Sequence, residues 1–107
     1  MNWKNLASPT DLDLLREASF QSPQVIFKHS SRCATSGLAM GRLQRQEGLQ
    51  FHLVDVIHHR DLSNKIADDF KVWHESPQVL IIHNGECTYE ESHLGIRGDE
   101  IMEQLAA

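Results

Sequence analysis

Apolar and polar positions along the chain follow two rhythms. Leu12, Leu15 and Ala18, with Leu14 beside them, recur at helical spacing just after Ser8-Pro9-Thr10-Asp11. That tetrapeptide reads as a helix start, with Ser8 as N-cap, Pro9 at the first helical position and Asp11 three residues past the cap. Ser22-Pro23 ends the helix, because a residue before proline is pushed out of the α region. Val25-Ile26-Phe27 is a short β-branched and aromatic run and predicts a buried strand. A polar loop, His29-Ser30-Ser31-Arg32, follows it.

A second helical pattern covers residues 34–46, with Leu38, Ala39 and Leu43 as core positions, and Gly48 stops it. Residues 50–56 predict a second buried strand. Residues 61–72 predict a helix, with Leu62, Ile66 and Phe70 on one face. Residues 78–83 form a third strand around Val79-Leu80-Ile81-Ile82, and Asn84-Gly85 then signals a hairpin into a strand starting at Glu86. Asp99 is placed as cap of a last helix with Ile101, Met102 and Leu105 facing inward. The order is α-β-α-β-α-β-β-α, and a short strand over residues 3–6 could precede it. A βαβ unit followed by an antiparallel hairpin implies an α/β fold, a central mixed sheet with helices on both faces.

Composition narrows the function classes. At 107 residues, with 40% hydrophobic and 23% charged, the chain is expected to form a single domain over residues 1–107. The net charge of -5 lacks the basic footprint of a nucleic-acid reader, so no nucleic-acid partner is expected. No apolar run is long enough for a membrane span. The start Met1-Asn2-Trp3-Lys4-Asn5 has no apolar core of a secretory signal, and two cysteines are too few for a disulfide framework. The expectation is a cytoplasmic protein with free thiols.

Candidate chemistry centres on Cys33, which follows a strand and a short loop at the start of a helix. Unpaired backbone N–H groups and the positive end of the helix dipole favour a thiolate there, and Arg32 adds a cation. Ser36, one turn on, could aim its hydroxyl at the sulfur. The alternative is an inert small residue packed at a helix start.

Cys33-Ala34-Thr35-Ser36, Val54-Asp55-Val56, the helix ending Asp68-Asp69-Phe70-Lys71-Val72, Ser76-Pro77-Gln78 and the Asn84-Gly85 hairpin together resemble the thioredoxin superfamily over nearly the whole chain. Serine stands in place of the second cysteine of the redox motif. Lys28-His29-Ser30-Ser31-Arg32-Cys33 with Ser36, then His74-Glu75-Ser76-Pro77-Gln78, is similar to the monothiol bacilliredoxin-like group. That group often carries proline after the cysteine, where this chain has Ala34. The resemblance implies a thioredoxin-like fold, a cis bond at Ser76-Pro77 facing the sulfur, and Cys33 as nucleophile on mixed disulfides of the small thiol bacillithiol. It implies S-bacillithiolated proteins or low-molecular-weight disulfides as partners, with bacillithiol as cosubstrate and no tightly bound cofactor.

With Ser36 unable to resolve a disulfide, an outside thiol must release the intermediate from Cys33. Cys87 lies past the hairpin, about 20 Å along the strand from Pro77, whereas a disulfide needs Cα atoms within about 7 Å. The Ser76 backbone could pair with a substrate segment like an added strand; otherwise Pro77 simply opens a strand in trans. Arg97, Gly98 and Asp99 could hold the carboxylates of the small thiol at a helix start; otherwise Asp99 is an ordinary cap and Arg97 a solvated charge. His29 and His74 flank the same surface and could tune Cys33 or protonate a leaving thiol, or be surface histidines. His58-His59 are adjacent and lack metal-site spacing, so no built-in zinc site is expected. Two rival functions remain: a monothiol iron–sulfur cluster carrier of the glutaredoxin-like kind, and an adaptor without catalysis.

Overall fold

The computed structural model describes residues 2–107. Its strands and helices run β1 (Trp3–Asn5), α1 (Pro9–Ala18), β2 (Gln24–His29), α2 (Ala34–Arg45), β3 (Phe51–Asp55), α3 (Arg60–Phe70), β4 (Gln78–His83), β5 (Glu86–Ser92) and α4 (Gly98–Ala106), with a 3₁₀ turn at His93–Gly95 before the last helix. The sheet order is β1-β3-β2-β4-β5. β1, β3 and β2 are parallel, and β4 and β5 are antiparallel to their neighbours. This is the predicted mixed sheet in an α/β fold.

Period-two alternation sorts the side chains of the central strands into two cores. Ile26, Val54, Leu80 and Ile82 meet Leu12 and Leu15 of α1 and Leu62, Ile66 and Phe70 of α3 on one face. Val25, Phe27, Phe51, Val79 and Ile81 meet Ala39 and Leu43 of α2 and Ile101 of α4 on the other. Ser8 caps α1 as its sequence predicts, its hydroxyl accepting the Asp11 N–H at 3.1 Å, while Asp11 accepts the Ala7 N–H at 3.0 Å. The helix stops at Ala18, before Pro23, because Ser19–Ser22 turn back on its last carbonyls.

Three expectations need correction. Leu38 is 59% exposed, because the buried face of α2 runs Ser36, Ala39, Leu43 and leaves Leu38 off the stripe. Leu14 is exposed on α1 for the same reason. Asp99 does not cap α4: Arg97 takes the N-cap position and the helix begins at Gly98, where a Cβ would stand 2.7 Å from the Gln46 Cβ.

The hairpin is as expected, with Asn84 and Gly85 both at positive φ, the requirement of the tight turn that matches strand twist. Just beyond it lies a bulge the sequence did not announce. Ile82 pairs with Cys87 but Ile81 pairs with Tyr89, so Thr88 is the extra residue. The bulge turns Cys87 towards the α1/α3 core and Tyr89, two residues on, towards the α2/α4 core.

The two leucines of α2 should separate cleanly in equilibrium denaturation. Leu43→Ala should cost about 2–5 kcal/mol by emptying a packed site, and Leu38→Ala should stay within about 0.5 kcal/mol. Similar losses for both would contradict the burial pattern of this helix.

Candidate active site

β2 and β4 hydrogen-bond up to the pair Lys28↔Gln78. Past it the chain leaves in two loops from the same sheet end, one running through His29 to Cys33 and one arriving through His74, Glu75, Ser76 and Pro77. The Ser76–Pro77 bond is cis, as the family resemblance implied. The Pro77 carbonyl accepts the His93 N–H at 3.0 Å, which ties this loop to the 3₁₀ turn. Gln78 is buried, and its amide donates to the Trp73 carbonyl at 2.9 Å and to Glu90 at 3.0 Å. Trp73 itself is 91% exposed at the loop's edge.

Cys33 is the N-cap residue of α2, with extended backbone, and is partly exposed. Its carbonyl accepts the Gly37 N–H at 3.1 Å, the first helical bond, and its own N–H donates to Ser30 at 3.2 Å. Arg32 beside it is exposed. Ser36 is fully buried, but its hydroxyl does not serve the sulfur. Its oxygen accepts the Ser30 N–H at 2.9 Å and lies 2.6 Å from His29 Nδ1. Because that oxygen already accepts from Ser30, the Ser36 hydroxyl gives its own proton to Nδ1; burial, opposed by the Asp55 charge, lowers the His29 pKa. The same ring stacks on Phe27. His29 and Ser36 therefore brace the loop that carries Cys33.

Sequence reasoning placed Lys28 in the family motif but gave it no role at the site. Its side chain has 0% exposure, yet no carboxylate lies within ion-pair distance among the described residues. Nζ donates to the Ser63 carbonyl at 3.0 Å and reaches His74 Nδ1 at 3.3 Å. The Ser63 hydroxyl stands 3.0 Å from the same Nδ1. Desolvation lowers the ammonium's pKa from 10.5 to about 8. Strand alternation carries the signal for this placement: Lys28 shares a face with the buried Ile26.

Arg97, Gly98 and Asp99 come together at the start of α4. The guanidinium grips the Asp99 carboxylate through two bonds of 3.2 and 2.7 Å. This contact raises the Arg97 pKa and lowers that of Asp99. A ligand carboxylate would have to replace Asp99 at that fork. Gly98 is accounted for by its close approach to Gln46.

Cys87 sits opposite Ile82, and Ile82 lies opposite Gln24 at the start of β2. Five residues of strand, about 17 Å, separate that level from His29 at the other end. The Cys87 thiol donates to the Tyr89 carbonyl at 3.3 Å, and burial pushes its pKa up. His58 pairs with Asp55 at 2.7 Å, and no group of three potential metal ligands gathers among the described residues. No helix there is long and apolar enough to cross a membrane.

The sequence profile of a family described as monothiol bacilliredoxin BrxC matches residues 4–101. Among solved structures, a thioredoxin-fold protein provisionally described as an oxidoreductase superposes with a TM-score of 0.86 at 26% identity, covering 95% of this chain and 92% of its own. Thioredoxin O2 of Arabidopsis thaliana, in its oxidized state, gives 0.74 at 18% identity, with 99% and 96% covered. Fasciola hepatica thioredoxin gives 0.72 at 17% identity, with 96% of both chains covered. The last two are alike in fold.

Two measurements follow from this geometry. In the folded protein at neutral pH, iodoacetamide should modify the partly exposed Cys33 at least about tenfold faster than the half-buried, hydrogen-bonded Cys87; equal rates by peptide mass spectrometry would remove Cys33 as the nucleophile. Lys28 should also leave a mark on stability. Its folded pKa of about 8 lies below the unfolded value of 10.5, so between those limits the unfolded chain binds more protons and stability rises with pH. Denaturant melts of wild type and Lys28→Met isolate this contribution above pH 8, because titrating groups that do not touch Lys28 cancel in the difference. Wild type should gain on the variant from pH 8 upward, and a constant difference would show that Lys28 titrates normally.

Proposed function

The chain belongs to the monothiol bacilliredoxin family, and from that premise we propose that it is a thiol-disulfide oxidoreductase removing bacillithiol from protein cysteines through Cys33. The observation that carries this reading is the position of Cys33. It is partly exposed at the N-cap of α2, while the residue one turn on is a serine whose hydroxyl is held by His29 and Ser30.

The Cys33 thiolate attacks the bacillithiol sulfur of a mixed disulfide. A sulfur–sulfur bond forms to Cys33 as the protein–bacillithiol bond breaks, and the protein sulfur leaves with the electron pair. Cys33 now bears the cap. A second bacillithiol attacks that disulfide, departs as bacillithiol disulfide and restores the Cys33 thiolate, so the two electrons come from the two small thiols. The substrate segment pairs with the Ser76 backbone beside Pro77 as an added strand. Arg97, with the backbone of Gly98 and Asp99, receives a carboxylate of the cap once the Arg97–Asp99 fork opens. Bacillithiol is the cosubstrate, capped proteins are the partners, and the setting is the reducing bacterial cytoplasm.

Intact-mass measurement during turnover with a bacillithiol-capped protein tests the scheme. Cys33→Ser should abolish cap removal, and Cys87→Ser should retain it within about twofold, since Cys87 lies beyond disulfide reach. Ser36→Cys should shorten the life of the capped intermediate by supplying an internal resolving thiol. Loss of activity in Cys87→Ser, or a Cys33–Cys87 disulfide in wild type, would replace this mechanism with a two-cysteine one.

A further inference from the structure

Thiol exchange leaves one task without an assigned residue. The departing sulfur carries an electron pair, and an alkyl thiolate with a pKa of about 8.5 leaves more slowly than an acidic one, a difference that a proton delivered to it would offset. We propose that His74 is the proton donor to the departing thiolate and that buried Lys28 is the positioning residue that fixes its tautomer and resupplies it. This inference rests on the thiol-exchange reading above.

The argument begins with donors and acceptors. A lysine ammonium has three protons to give and accepts none. Lys28 Nζ is directed at His74 Nδ1, so Nδ1 must be the bare, accepting nitrogen. The Ser63 hydroxyl supports the same nitrogen from α3. The proton of neutral His74 is therefore on Nε2. The ring is half-buried and borders an open groove of about 530 Å³ that it shares with Trp73, Asn64 and Asp68. His74 stands two residues before Ser76, on the loop that meets the substrate in the proposed scheme.

The charges around the ring suit this role. Burial comes first in lowering the His74 pKa, followed by Lys28 from β2 and Arg60 from α3, with Glu75 on its own loop opposing them. Burial and the two cations thus disfavour the imidazolium, and the contacts at Nδ1 leave the ring proton to Nε2. His29, the other candidate, has Nδ1 engaged by Ser36 and its ring against Phe27, as part of the brace for the Cys33 loop.

The step balances. As the substrate disulfide breaks, the departing sulfur takes the Nε2 proton of His74 and leaves as a thiol. A proton from Lys28 Nζ moves to Nδ1, which leaves a neutral amine beneath the loop. A hydronium ion from solvent then protonates Nε2, and Nδ1 returns its proton to Lys28, so the proton the thiol carries away comes in net from solvent. Burial of the ammonium without a carboxylate makes that first transfer accessible, because no counter-ion holds the charge in place.

Varying the leaving group tests the inference. In a Cys87→Ser background, single-turnover formation of the Cys33 mixed disulfide is followed with two probes. Dithiobis(nitrobenzoate) expels an acidic aromatic thiol that needs no proton, whereas glutathione disulfide expels an alkyl thiol that does. His74→Gln should slow the glutathione reaction by about a hundredfold, the low end of general acid catalysis, and change the aromatic reaction by less than about twofold. Lys28→Met should show the same selective loss. It should also abolish a fall in the wild-type alkyl reaction above pH 8, measured relative to the aromatic one. His74→Gln replaces no buried charge and carries the test even if Lys28→Met fails to fold. Equal slowing with both probes, or none with either, overturns the relay while leaving Cys33 as nucleophile. Failure of unmodified Cys33 to react with either probe overturns the thiol-exchange reading itself.

Discussion

Everything at the reactive end depends on the last rung between β2 and β4, where Lys28 lies opposite Gln78. Both residues are buried and polar, and each holds a loop. Lys28 reaches under the cis-proline loop to His74 and across to the Ser63 carbonyl of α3. Gln78 reaches back to Trp73 and outward to Glu90 of β5. Removing an ammonium from water costs several kcal/mol even after the surroundings relax. An apolar side chain would fill the site at lower cost, so the lysine is a sacrifice of stability at the sheet end where the chemistry is proposed. Among the described residues it is the one fully buried charge.

The two loops are stiffened by different means. The Cys33 loop is braced from within by the His29–Ser36–Ser30 contacts, which occupy the hydroxyl at the place where a second thiol would otherwise sit. The proline loop is braced from outside, by Gln78 and by the His93 N–H on the Pro77 carbonyl. The outer tie runs on through His93 Nε2 to Glu75 at 2.9 Å, an exposed contact of small energetic worth. Preorganisation is therefore strongest next to Cys33 and weakest at the exposed rim around Trp73.

Much of the architecture was legible in the sequence because local signals and burial agreed. Ser8-Pro9, Asn84-Gly85 and the spacing of Leu62, Ile66 and Phe70 each state a backbone preference that the packed structure keeps. Leu38 misled because two apolar residues in a row fit either of two helical faces, and only the sheet opposite decides between them. Ser36 misled because its nearest partner in sequence terms, the sulfur, competes with a histidine delivered by β2. Lys28 was read only as part of a family motif and given no role of its own, because charge normally marks solvent and its partners Ser63 and His74 lie 35 and 46 residues away. The bulge at Thr88 has no local marker at all.

That bulge has a consequence for how copies of the protein meet. β5 is an outer strand of the sheet, with unpaired backbone groups along one side, the usual template for intermolecular strand pairing. Thr88 breaks its regular spacing, while Glu86 and Glu90 stand exposed along it. A second copy approaching edge to edge would meet carboxylates of like charge and a strand whose hydrogen-bond groups fall out of step. The opposite edge, β1, is only three residues long. Both margins of the sheet thus discourage ordered aggregation without another helix covering either edge.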